Sequence, residues 1–125
     1  SNAIFNLGNL YYYGYGVKQD YNKAKEYYEI SANQNNSYAL NGLGALYFDG
    51  YGVKRDINKA KEYLELSAKQ NNSSAFNSIG ALYYYGEGVK RDYNKAKKYF
   101  ELSANQNNSH ALFFFRKSLL LWTRS

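Results

Sequence analysis

Apolar residues recur along this chain with a helical step. Ala39, Leu43, Leu46 and Tyr47 fall at i, i+4, i+7 and i+8, which is one face of a helix. Ser37, after Asn35-Asn36, suits an N-cap, where its hydroxyl can accept a bond from a free backbone N–H. Gly50 and Gly52 stop this helix, because glycine takes the left-handed backbone a helix end needs. Val53 is expected to tuck the turn onto the core. Asp56 caps the next segment, where Ile57, Ala60, Tyr63, Leu64, Ser67 and Ala68 make a second apolar face. Gln70-Asn71-Asn72 closes it and Ser73 opens another. The pattern predicts a pair of antiparallel helices joined by a glycine-rich turn.

The pair repeats. Ala3, Ala39, Ala75 and Ala111 are each 36 residues apart, and the same step relates Gly8, Gly44 and Gly80, then Asp20, Asp56 and Asp92. Segments 3–38, 39–74 and 75–110 share 21 of 36 positions, so the chain reads as an array of one unit, present about three and a half times. Gly44 and Ala60 sit on the packing faces. A glycine inside a helix costs about 1 kcal/mol against alanine, so its recurrence at one place points to a close approach between the two helices. Residues 1–125 are read as one domain. Ser1-Asn2-Ala3 reads as an expression-tag scar, so the sequence does not speak to compartment.

Composition changes this picture little. Without cysteine, disulfides and thiolate–metal sites are excluded. No apolar run approaches the ~20 residues of a membrane span. The formal charge is +6, which permits acidic partners without requiring them. Tyrosine stands out, with 16 in 125 residues.

Ala39, Leu43-Gly44, Tyr47, Gly50-Tyr51-Gly52-Val53, Asp56, Lys59-Ala60, Tyr63 and Ala68 together resemble the Sel1-like repeat, a cousin of the tetratricopeptide repeat. The resemblance covers residues 3–110. It implies an all-α fold, a right-handed superhelix (solenoid) of helix pairs, serving as an adaptor or scaffold without catalytic activity or cofactor. After Ala111 the match weakens: Arg116 stands where the packing glycine belongs and Leu119 where the core tyrosine belongs. Residues 111–125 are read as a diverged half-repeat.

The resemblance also implies that the first helix of each pair lines a concave groove. Its residues would be Phe5, Asn9 and Tyr12, then Tyr38, Asn41, Ala45 and Phe48, then Ser74, Asn77, Ala81 and Tyr84. Tyr12, Phe48 and Tyr84 are expected as a ladder of rings beside Asn9, Asn41 and Asn77. Aromatic rings offer large, stiff contact area and asparagine amides can bond a peptide backbone, so a peptide or partner protein is the expected ligand. A bland alternative is that these rings only cover neighbouring repeats.

Two other surfaces compete. Lys18, Lys23 and Lys25 recur as Lys54, Lys59 and Lys61 and as Lys90, Lys95 and Lys97. With Arg55 and Arg91 they could form a basic stripe for nucleic acid or anionic partners. The interleaved Glu26, Glu29, Glu62, Glu65 and Glu101 favour a solvated mixed-charge face instead. In the terminal segment Phe115, Leu119 and Trp122 can face the third repeat, which leaves Phe113, Phe114, Leu120 and Leu121 as an apolar patch. Self-association into a homo-oligomer, or a hydrophobic end-cap, fits that patch better than membrane contact.

The remaining signals have simple readings. Gly14-Tyr15-Gly16 mimics part of a dinucleotide fingerprint but follows a helix, not a strand. His110, the one histidine, lies at an expected helix start without a partner for metal or acid–base work. The Asn-Asn-Ser triplets match the glycosylation sequon, yet their place before each first helix is explained by turn and cap chemistry. A hydrolase, suggested for some members of the resembled family, would need a nucleophile–base pair that is not visible here. The expectation is a non-catalytic interaction scaffold.

Overall fold

The computed structural model describes residues 2–106. Six helices follow one another: α1 (Asn2–Tyr13), α2 (Tyr21–Asn33), α3 (Ser37–Asp49), α4 (Ile57–Ala68), α5 (Ser73–Tyr85) and α6 (Tyr93–Ala104), with no strand among the described residues. The expected helix pairs are therefore present. The chain divides into two compact units, Ser1–Ser67 and Ala68–Ser125. The first holds the first two pairs and the second holds α5 and α6.

The turn inside each pair is fixed by backbone chemistry. Gly50 and Gly52 both sit at φ +72°, a region where a side chain would strain the backbone. Gly50 donates its N–H to the Leu46 carbonyl at 2.8 Å. Asp56 then works twice: its own N–H donates to the Tyr47 carbonyl at 2.9 Å, and its carboxylate accepts from the Lys59 N–H at 3.0 Å. Asp20 and Asp92 cap α2 and α6 in the same way.

The caps of the first helices differ from expectation. Asn36 and Asn72 are the N-caps, accepting from the N–H groups of Ala39 and Ala75. Ser37 and Ser73 are the first helical residues. Asparagine's carbonyl reaches the free N–H as well as a serine hydroxyl does, and the preceding Asn35 and Asn71 take the left-handed turn at φ 63° and 59°. Ser67, expected on the apolar face, is fully buried and polar in function. Its hydroxyl donates to the Ser37 carbonyl at 2.7 Å, and Ser103 repeats this to Ser73. This bond ties the ends of α4 and α6 to the starts of α3 and α5.

The glycine argument holds, with a more specific partner. A Cβ on Gly44 would lie 2.9 Å from the Leu64 side chain and 3.3 Å from the Ala60 carbonyl. On Gly8 it would meet the Tyr28 ring at 2.6 Å, and on Gly80 the Phe100 ring at 2.6 Å. Tyr28, Leu64 and Phe100 thus occupy one repeat position, each filling the notch its glycine leaves. Within the first unit α2 also packs on α3: Ala24, Tyr28, Leu43 and Leu46 form one buried cluster, and the opposite edge of the Tyr28 ring lies 3.1–3.3 Å from where a Cβ on Gly42 would stand.

Candidate functional site

The first unit gathers aromatic rings from four sequence segments. Phe5 stacks on Tyr28 at 5.6 Å and lies 5.8 Å from Tyr38. Tyr12 meets Tyr28 at 6.4 Å, Tyr13 edge-on at 4.7 Å, Tyr21 edge-on at 5.5 Å and Tyr51 at 6.5 Å. Tyr21 and Tyr51 stack at 4.7 Å, and Tyr13 and Tyr15 at 5.2 Å. The result is a continuous tract running from Tyr15 to Tyr38. Its floor is Tyr28, which is buried, while Tyr13, Tyr15, Tyr38 and Tyr51 are 40–62% exposed.

Phe5, Tyr12 and Tyr38, three of the residues expected in the groove, belong to this tract, linked through Tyr28 and Phe5. Tyr15, Tyr21, Tyr28 and Tyr51 join them and were missed. A signal for Tyr28 was present: the first repeat departs from the other two at Phe5, Asn9 and Tyr28, where the others carry Asn41/Asn77, Ala45/Ala81 and Leu64/Phe100. Tyr28 touches both of the others. The Tyr28 hydroxyl donates to Asn9 Oδ1 at 2.6 Å while its ring stacks on Phe5. Asn9 therefore spends its acceptor inside the unit.

The other groove residues lie as follows. Asn41 Oδ1 and Asn77 Oδ1 are shielded from solvent and find no hydrogen-bond partner among the described residues. Phe48 carries the Arg55 guanidinium over its ring at 5.4 Å, and Arg55 Nε donates to the Phe48 carbonyl at 2.8 Å. In the second unit Tyr84 is 5% exposed. It packs edge-on against Tyr85 at 4.7 Å and Tyr93 at 5.5 Å, with Phe100 at 6.4 Å, as Tyr12 packs on Tyr13, Tyr21 and Tyr28; its burial in one cluster with Ala96 and Phe100 makes it a core residue. Phe113, Phe114, Leu120, Leu121 and the half-repeat 111–125 lie outside the described residues.

The lysines are largely engaged close to home. Lys25–Glu29, Lys61–Glu65 and Lys97–Glu101 pair at 3.2, 3.9 and 4.0 Å along their helices. Lys23, Lys59 and Lys95 sit over Tyr11, Tyr47 and Tyr83 at 5.1, 4.9 and 5.3 Å. Such pairs extend the aliphatic stems across the tyrosines and are a solvated arrangement. At the turns two open hollows form, one lined by Tyr47, Lys54, Arg55, Asp56 and Lys59 among others, its counterpart by Tyr11, Lys18, Gln19, Asp20 and Lys23.

Burial favours the neutral form of four phenols, Tyr12, Tyr28, Tyr63 and Tyr84. Burial, helped by the Asp49 carboxylate, pushes Tyr12 up to about 12. Burial raises Tyr28 further and also raises Tyr63 and Tyr84. Such hydroxyls donate and accept but are poor nucleophiles near neutral pH. Among the described residues no group of three or more His, Cys, Asp or Glu side chains could hold a metal ion, and no helix is long and apolar enough to cross a membrane.

Comparison with known proteins identifies the architecture. The family model for the Sel1 repeat matches residues 1–36, 37–72 and 77–108. A Sel1 repeat protein from Oxalobacter formigenes is 35% identical with a TM-score of 0.83, over 94% of this chain and 48% of that one. The protein c5321, a protective antigen present in uropathogenic Escherichia coli strains and displaying an SLR fold, is 35% identical with a TM-score of 0.80, over 88% of this chain and 24% of that one. This chain therefore spans about half and about a quarter of those two structures. No curated protein matches it. The fold is an all-α helical-repeat solenoid, of a kind whose members are generally protein-interaction scaffolds. Three matches in register with the helix pairs, and two solved relatives at this identity, show that the chain belongs to the Sel1 repeat family.

Proposed function

We propose that this chain is a non-catalytic scaffold that docks a peptide or partner protein on the first-helix side of its repeats. The observation that carries this reading is the aromatic tract of the first unit. Four of its tyrosines are 40–62% exposed although each ring is already held by a neighbour. Rings fixed in this way lose little freedom on binding, and tyrosine is enriched in the hot spots of interfaces. Phe5, Tyr12 and Tyr38 supply the apolar surface. Asn9 offers its amide N–H groups, since its oxygen is taken by Tyr28. Asn41 and Phe48 extend the docking face along α3, and Asn77 is the residue of the second unit that corresponds to Asn41. Tyr84 is left out because it is core.

A peptide library displayed on phage and selected against the folded chain tests this. Enriched peptides are expected to lose affinity at least about tenfold with Tyr38→Ala/Tyr51→Ala, two exposed positions whose loss leaves the cores intact. Peptides that bind the double variant as tightly as the parent, or an unselective library, overturn the reading.

A further inference from the structure

One row of the repeat is exposed in every copy. Tyr13 and Tyr85 are 54% and 49% exposed, and Asp49, their counterpart, is exposed as well. The openness of this row therefore does not depend on which hairpin lies alongside. Asp49 alone of the three carries a charge, and it is the last residue of α3, the negative end of the helix dipole. A carboxylate there is unfavourable for the helix. No basic residue in the last turn of α3 offsets it, and Asp49 forms no ion pair among the described residues. The two cations of the turn that follows, Lys54 and Arg55, line the hollow beside Tyr47 instead. Arg55 lies over the Phe48 ring and donates to the Phe48 carbonyl.

Asp49 stands among aromatic rings. Its charge reaches the Tyr12 phenol. Tyr12 meets Tyr13 edge-on at 4.7 Å and Tyr51 at 6.5 Å. Tyr51 follows Asp49 by two residues, stacks on Tyr21 at 4.7 Å and keeps 40% of its surface open. A carboxylate, a helix C-terminus and the negative faces of tyrosine rings all favour the same sign of charge in whatever binds beside them. The rest of the chain, with a formal charge of +6, has the opposite balance.

We infer that Asp49, Tyr13 and Tyr51 form a cation-selecting end of the docking tract and take an arginine side chain of the docked peptide. This rests on the docking reading above and adds the chemistry of one partner residue. A planar guanidinium fits this set better than an ammonium does, because it stacks on a ring while its N–H fork donates to a carboxylate. The chain makes the stacked half of that arrangement with its own residues, Arg55 over Phe48 at 5.4 Å and Arg91 over Tyr93 at 5.7 Å. At Asp49 the protein supplies rings and carboxylate, and the partner supplies the cation.

The test takes peptides enriched on the folded chain that lose affinity with Tyr38→Ala/Tyr51→Ala, and measures them by fluorescence anisotropy against the parent and Asp49→Asn. These peptides are expected to share an arginine. Replacing it by glutamine should weaken binding to the parent at least about tenfold and binding to Asp49→Asn less than about threefold. Replacing it by lysine should weaken binding to the parent by an intermediate factor. Asp49→Asn itself should keep or slightly raise the thermal midpoint, because the helix loses a carboxylate from its negative end. Enriched peptides without an arginine, or an arginine whose loss costs the same against both proteins, overturn this inference and leave the docking reading standing. Failure to enrich any peptide overturns both. A midpoint lowered by more than about 5 °C in Asp49→Asn would assign Asp49 to the fold and overturn the inference as well.

Discussion

Helices α1 and α3 carry the same inward pattern and live in different surroundings. Ala3/Ala39, Leu7/Leu43, Gly8/Gly44, Leu10/Leu46 and Tyr11/Tyr47 are identical pairs. Gly8 and Gly44 are equally buried, each notched by the residue of its own second helix, Tyr28 or Leu64. The difference lies on the other flank, where α3 receives α2 and α1 receives nothing among the described residues. A repeat hairpin is thus complete on the side of its own partner and unfinished on the side of its neighbour. The apolar residues that read as core in the sequence divide into those two groups, and only the first group is buried by the hairpin itself.

Chemical denaturation can break this comparison. Leu43→Ala should cost about 2–5 kcal/mol, as a buried leucine leaving a cavity does. Leu7→Ala should cost under about 1 kcal/mol, within the range of surface changes. Equal costs would mean that α1 is covered after all. Next, Gly44→Leu and Gly8→Leu should each cost about 1–3 kcal/mol by overpacking, because the inner flanks are alike. A tolerated Gly8→Leu would show that α1 is loosely held on both sides.

Smaller effects sharpen the contrast between Tyr28 and Leu64 at one repeat position. Tyr28→Phe keeps the ring in its notch and removes the bond to Asn9, so about 1 kcal/mol should be lost at neutral pH. The same residue gives an alkaline signature. Phenols in the unfolded chain ionise near pH 10, whereas Tyr12 is held up to about 12 and Tyr28 is raised as well. The unfolded state then sheds protons first. Stability is fully present below about pH 10 and falls as pH rises from there through 12. Urea midpoints measured across this window should fall less steeply in Tyr28→Phe than in the parent. Identical slopes would mean that Tyr28 is not proton-linked to folding.

Much of the local structure was legible before any coordinates. Gly50 and Gly52 foretold a left-handed turn because few other residues tolerate that backbone, and Asp56 foretold a cap because its carboxylate reaches a free N–H within its own helix. The Ser37 cap was misplaced by one residue, since Asn36 offers the same chemistry and only backbone angles decide between them. Ser67 was read as small and apolar because its partner, the Ser37 carbonyl, is 30 residues away. Of the aromatic tract, Phe5, Tyr12 and Tyr38 were marked as one first-helix stripe, and a groove role for them came only with the family resemblance. Tyr21 and Tyr51 were not marked, because they come from different repeats and meet only when α1–α2 and α3 pack.

The sequence by itself determined what short range decides: the 36-residue period, the helix ends, the turn glycines and the glycine notch in each pair. Tertiary structure decided which of the like residues are covered. Leu7 and Leu43 are the same amino acid on the same helical face. Leu43 is buried because α2, from the preceding hairpin, lies against it, and no local pattern encodes that neighbour.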